Sequence, residues 1–278
     1  MTSRIILVAC LCLVISACAR SADYGWLAQY HAADRLERRI AVPRGYERAP
    51  GADGSFAAWL RGLPLKPGKP PVYLYNGKPK SNQDAHCAVV NIDTGATDLQ
   101  QCADAVMRLR AEYLYSRKRY AEIHFNFTSG DRADFAKWAQ GYRPAIRGNR
   151  VRWGKTARAD ASRASFRKYL DTVFSYAGSA SLEKELTRVP KVSDMRIGDV
   201  LIEGGFPGHA VIVVDMAKNR ETGKKLFLLA QSYLPAQDIH LLKNPDGASP
   251  WYPLDFGATL YTPEWTFTNK HLRRFPGG

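Results

Sequence analysis

Cysteine, methionine and histidine are all scarce in this 278-residue chain, at five, four and six respectively. None of the cysteines and histidines form a CxxC or HxxxH pair, so zinc-ribbon and zincin-type metal sites have no ligand set and no cofactor is expected. No GxSxG elbow is present. The glycine-rich stretch Gly204-Gly205-Phe206-Pro207-Gly208 lacks the lysine and following helix of a phosphate loop. There is no internal repeat, low-complexity tract or Gly/Ser linker, and nothing after residue 17 is apolar enough for a membrane span. Acidic side chains are outnumbered, 26 Asp and Glu against 40 Lys and Arg, for a formal charge of +14.

What is there begins at the amino terminus. Arg4 precedes Ile5 to Ile15 (IILVACLCLVI), an unbroken apolar run of the length of a secretion-signal core. Ile15-Ser16-Ala17-Cys18 then reads as a lipobox, so residues 1–17 are expected to be a signal peptide and Cys18 a lipidated mature start. An ordinary cut after Ala19 is the alternative, leaving a soluble periplasmic protein. Arg20, with no Asp beside the mature start, points to the periplasmic face of the outer membrane. An exported protein has no nucleic acid to meet. Its basic body suits peptidoglycan or another anionic envelope polymer, unless the charge is simply a solvated surface. Oligomeric state is not legible.

The division expected is a lipid anchor and tether over 18–47 and one α+β domain over 48–278. Ser55 to Arg61 reads as a helix, Val72 to Tyr75 as a strand before an Asn76-Gly77 turn, and His86 to Asp93 as an alternating strand. Thr97 or Asp98 is expected to cap a helix whose face carries Leu99, Cys102, Val106, Leu109 and Tyr113. Ala121 to Thr128 reads as a strand, and Asp131 to Gln140, Ser162 to Ala177 and Ser181 to Thr187 as helices. Asp199 to Ile202, Ala210 to Met216 and Leu226 to Ser232 read as strands, the last two paired.

Setting aside the signal and Cys18, Cys87 and Cys102 remain. They are either a disulfide, as an oxidising compartment allows, or free thiols, with Cys102 then either a nucleophile or simply a small buried helix residue. Cys102 at a helix start would have its pKa lowered by unpaired N–H groups and the helix dipole. His209, opening the AVIVVD strand, is placed to act as its base, and Gln231, ending the next strand, to hold the imidazole. His86, Asp238 and His240 are alternative acid–base residues. Trp251, Tyr252 and Trp265 stand in aromatic loops that suit either sugar platforms or core plugs.

Ile197-Gly198-Asp199-Val200 followed by Gly208-His209-Ala210-Val211-Ile212-Val213, downstream of Gln101-Cys102, resembles papain-like peptidoglycan hydrolases of the NlpC and CHAP type. The resemblance implies a papain-like α+β fold with the cysteine on a helix and the histidine on an antiparallel sheet. It maps Cys102 to nucleophile, His209 to base and Gln231 to orienting residue. Cys102 and His209 are 107 positions apart, wider than in the compact members, so an insertion is expected between them. The strings SFAAWLRGLPLKP, DLQQCADAVMRLRAEYLY, PGHAVIVVDMA and AQSYLPAQDIH are also similar to a bacterial family of unknown function, which implies membership and no activity. The expected function is a thiol hydrolase of peptidoglycan peptide or related amide bonds. The alternative is a non-catalytic lipoprotein that binds envelope glycan or is structural.

Overall fold

A computed structural model describes residues 24–277. The signal segment and Cys18 lie outside the described residues. Helix α1 spans Leu36–Arg39, strand β1 Tyr46–Arg48 and helix α2 Phe56–Arg61, followed by β2 (His86–Val89) and the long α3 (Cys102–Ser116). The stretch expected as an insertion holds β3 (His124–Asn126), β4 (Arg132–Asp134), α4 (Phe135–Ala139), β5 (Tyr142–Arg147), β6 (Arg150–Lys155), α5 (Arg163–Tyr176), α6 (Ser179–Glu185) and β7 (Thr187–Arg188). The rest is β8 (Val200–Glu203), β9 (His209–Asn219), β10 (Lys225–Gln231), β11 (His240–Leu242), β12 (Tyr252–Pro253), β13 (Thr259–Tyr261), β14 (Thr266–Thr268) and β15 (Leu272–Arg274).

Nine strands form one antiparallel sheet in the order β2-β11-β10-β9-β8-β15-β7, with β1 beside β9 and β12 beside β10. Strand β9 runs through its middle and is buried on both faces, which is why its sequence is almost continuously apolar. Alternation sorts its side chains. Ala210, Ile212 and Val214 join the core shared with Ala105, Val106 and Leu109 of α3. Val211, Val213 and Met216 join a second core with Phe227, Leu229, Tyr252, Leu260 and Phe267 on the opposite face. Asp215, fully buried on β9, accepts from Arg48 Nε and Arg61 Nε at 2.8 Å each. A buried carboxylate needs such partners, and here they bind the amino-terminal segment to the sheet.

That segment corrects the expected tether. Tyr24 and Leu36 are 2 % and 0 % exposed, Tyr24 packs against Trp26, Tyr30 and Trp59, and Leu36 N–H donates to Leu63 O at 2.9 Å. Residues 24–47 are therefore part of the domain. The Val72 to Tyr75 segment forms single bridges, Tyr73 to Pro79 and Leu74 to Gln237, instead of a strand. Asp131 to Gln140 is strand β4 followed by the short α4. The helices expected from Ser55 and Ser162 are present, with these two serines as their N-caps, accepting from Ala58 N at 3.2 Å and Ser165 N at 3.3 Å. Among the described residues no helix is long and apolar enough to cross a membrane.

Candidate functional site

Helix α3 starts at Cys102, with its N-cap three residues past Asp98 and four past Thr97, the two caps expected. The Asp98 carboxylate is taken by Ala236 N–H at 2.6 Å and the Gln101 side chain at 3.1 Å, so it is not free to cap. Gln101 is the N-cap, and its N–H donates to Asp104 Oδ2 at 3.0 Å. Ser232 Oγ–H donates to Gln100 O at 3.0 Å and holds the helix start against the end of β10. The thiol of Cys102 lies against Gly208 O, 4.0 Å away, beside the backbone of His209.

Cys87 and Cys102 are both free, so the disulfide reading does not hold. The expected activation of Cys102 does not hold either: its pKa is pushed up to about 11. Burial is the largest cause, and the nearby Asp104 carboxyl adds to it. The N–H groups of Ala103 and Ala210 favour the thiolate and are outweighed. Asp104 is itself held well above the usual carboxylate range by burial, and its Oδ1 has no partner.

His209 is 1 % exposed and opens β9 directly after Gly208. Gly208 has no room for a side chain, since a Cβ there would sit 2.4 Å from Ser179 Oγ and 2.7 Å from Glu203 O. His209 Nε2 lies 2.8 Å from Gln231 Oε1, as expected for an orienting residue. Gln231 Nε2 donates to Glu264 Oε2 at 2.8 Å and contacts His240 Nε2 at 3.3 Å, and His240 Nδ1 is 2.9 Å from Asp238 O. These roles close consistently. A carboxylate only accepts, which fixes the amide with its NH2 toward Glu264 and its oxygen toward His209. His209 therefore carries its proton on Nε2, leaving Nδ1 as a lone pair, and His240 carries its proton on Nδ1. Lys80 forms an ion pair with Glu264, and Asn82 Nδ2 donates to Glu264 Oε1 at 3.4 Å. Burial lowers the Lys80 pKa, and Glu264 restores part of it.

The rings of Tyr233, Trp265 and Phe267 lie 4.7, 5.3 and 5.9 Å from that of His209. In this apolar box the His209 pKa falls to about 4, desolvation being the main cause, and His240 falls to about 3 for the same reason. Both are neutral at pH 7. By strand alternation His209 and Gln231 share the face of Phe267, while α3 packs on the other face. The thiol thus reaches the histidine's backbone at the end of the strand, and no hydrogen bond joins it to the imidazole among the described residues. Phe206 and Leu234, both exposed, stand three residues before His209 and three after Gln231 on the flanking loops.

Trp251 and Tyr252 are core residues, 3 % and 1 % exposed, with their polar tips bonded to Ala41 O and Lys243 O. Neither is an open platform, which corrects that expectation. Trp265 is half-buried, donates to Glu203 Oε2 at 3.0 Å and forms a wall of the histidine box. Asp238 is engaged by Lys66 Nζ at 2.8 Å and Tyr73 N–H at 3.0 Å, and His86 Nε2 meets Pro70 O at 3.0 Å. Glu264, Lys80 and Tyr233 belong to the site and were not singled out from sequence. The one signal was that Glu264 directly precedes Trp265 in TPEWTF. Among the described residues no group of three or more His, Cys, Asp and Glu side chains is placed to hold a metal ion.

An α+β domain with a cysteine at a helix start and a buried His–Gln pair on neighbouring strands, joined to Glu264 of the β13–β14 turn, is what fold and site define. The chain belongs to the family described as Domain of unknown function (4846), whose model matches residues 36–274. No curated protein and no solved structure matches it.

Proposed function

We propose that this domain is a papain-like thiol hydrolase of the cell envelope, cleaving peptidoglycan peptide or related amide bonds. The observation that carries the reading is the fixed tautomer of His209, with its Nε2–H on Gln231 and its Nδ1 unprotonated, one residue after the Gly208 carbonyl that lies 4.0 Å from the Cys102 thiol. A base for a thiol needs that lone pair. In the step proposed, Cys102 Sγ gives its proton to His209 Nδ1 and forms a bond to the carbonyl carbon. The C–N bond then breaks, and the proton passes to the leaving amine. Water hydrolyses the thioester with His209 again as base. In the same proposed step, N–H groups at the start of α3 that have no intrahelical acceptor stabilise the developing oxyanion. The resting pair is neutral and not hydrogen-bonded, so substrate entry has to bring imidazole and thiol together; such contacts often tighten only in the substrate complex. Export and lipid anchoring through Cys18 rest on residues 1–18 and supply the substrate.

Intact-mass analysis of the protein mixed with muropeptides tests this. A thioester adduct on Cys102, absent in Cys102→Ala, is the expected result; turnover with no adduct on Cys102 counts against it. The second reading, a non-catalytic envelope-binding lipoprotein, is favoured by the same burial that keeps the Cys102 thiol protonated. It predicts muropeptide binding that Cys102→Ala leaves unchanged, with no turnover by either protein.

A further inference from the structure

Arg110 lies about two turns along α3 from Cys102 and is only 7 % exposed. Its neighbour Arg108 is equally buried but fully engaged, bonding Glu112, Gln100 and Asp93. Arg110 has no hydrogen bond and no ion pair among the described residues. Its guanidinium carbon instead sits 5.1, 5.8 and 5.3 Å from the ring centres of Phe56, Tyr113 and Phe275. Ring faces offset part of a buried charge, but they do not satisfy five N–H donors.

Arg110 lines a cavity of about 670 Å³ together with those three rings, Met195 and Met216. The nearby carboxylates are already used: Asp199 accepts from Arg274 at 2.6 and 2.8 Å, and Glu122 is held by Arg119. The mouth adds Arg196, Lys218 and Lys225, all exposed cations. Neither Cys102 nor His209 lines this space. We infer that the cavity is a second binding site, for an amphiphile with one anionic head on Arg110 and an apolar body among Phe56, Tyr113, Met216 and Phe275. A planar fork of donors matches a carboxylate, and the volume is that of a small-molecule pocket. The inference is independent of the Cys102 chemistry.

Calorimetric titration of the full chain with decanoate and with decanol, both as monomers, tests it. Decanoate is expected to bind one per chain, with decanol about tenfold weaker or more. Arg110→Met is expected to weaken decanoate about tenfold and leave decanol unchanged. Because Arg110→Met disturbs a packed position, Ala52→Trp on the exposed rim serves as a second variant and is expected to abolish binding of both. Equal affinity for the two probes, no decanoate binding by the wild type, or unchanged decanoate affinity in either variant overturns the proposal.

Discussion

Replacing Gln231 with alanine removes the hub of the histidine box. His209 Nε2–H loses its acceptor at a position 1 % exposed. An orphaned buried donor costs about 1–3 kcal/mol. Glu264 loses one donor and keeps Lys80 and Asn82; a bond to a charged group is worth about 1.5–3 kcal/mol. Water entering the polar space left behind recovers part of this, so the net loss is about 2–4 kcal/mol. For a chain this size that is a fall in Tm of about 5–15 °C. Thermal unfolding followed by near-UV circular dichroism measures it, and imidazole 15N spectra report the tautomer. Wild type should show His209 protonated on Nε2, and Gln231→Ala a mixture of tautomers. Gln231→Glu should be least stable at high pH, where its carboxylate meets Glu264 at hydrogen-bond range. If Gln231→Ala stays within about 1 kcal/mol of wild type and leaves the His209 signals unmoved, the directed network is wrong.

Acid should unfold the protein through the same histidines. With pKa values near 4 and 3 in the folded chain against the usual 6.5, His209 and His240 refuse protons that the unfolded chain takes up. Stability should thus be full above pH 6.5 and fall toward pH 4.5 by about 2–3 kcal/mol per histidine, read as a drop in urea midpoint; a flat profile contradicts it. Asp104 acts in the opposite sense, because its raised pKa costs stability above the usual carboxylate range and is relieved in acid. Asp104→Asn should therefore be more stable than wild type at pH 8 and show a steeper acid loss; equal midpoints at pH 8 would count against the buried carboxyl. Arg108→Leu, which strands Glu112 with only Arg163, should cost about 3–5 kcal/mol by urea unfolding, and a loss under about 1 kcal/mol would mean that the buried network contributes little. With its thiol at about 11, Cys102 in the folded protein should react with iodoacetamide about 100-fold more slowly at pH 7.5 than after unfolding in urea, and equal rates would refute the burial argument.

Much of the frame could be read from sequence wherever pattern and local chemistry agree. The β8–β9–β10 order, the helices beginning after Ser55 and Ser162 and the place of Cys102 in or next to a first helical turn follow from periodicity. Gln231 reaching His209 followed from two adjacent strands. Other features escaped because the deciding partner is distant. Lys80 and Glu264 meet across 184 positions, as single charges among many in a basic chain. The pairing of β5 with β6 joins short, basic, half-exposed strands in which only Ile146, Val151 and Trp153 pack on the core, too few apolar residues to stand out. Asp98 has the chemistry of a cap but serves Ala236 instead. The thiol pKa was read with the wrong sign because a helix start favours the thiolate only when it is solvated, and burial against β9 outweighs the dipole.

The most direct test of the thiol-hydrolase reading is muropeptide turnover by wild type, Cys102→Ala and His209→Ala under one set of conditions, quantified as kcat/KM. The account predicts measurable cleavage by wild type and losses of about 1,000-fold or more in both variants. Cleavage by Cys102→Ala at the wild-type rate would contradict it.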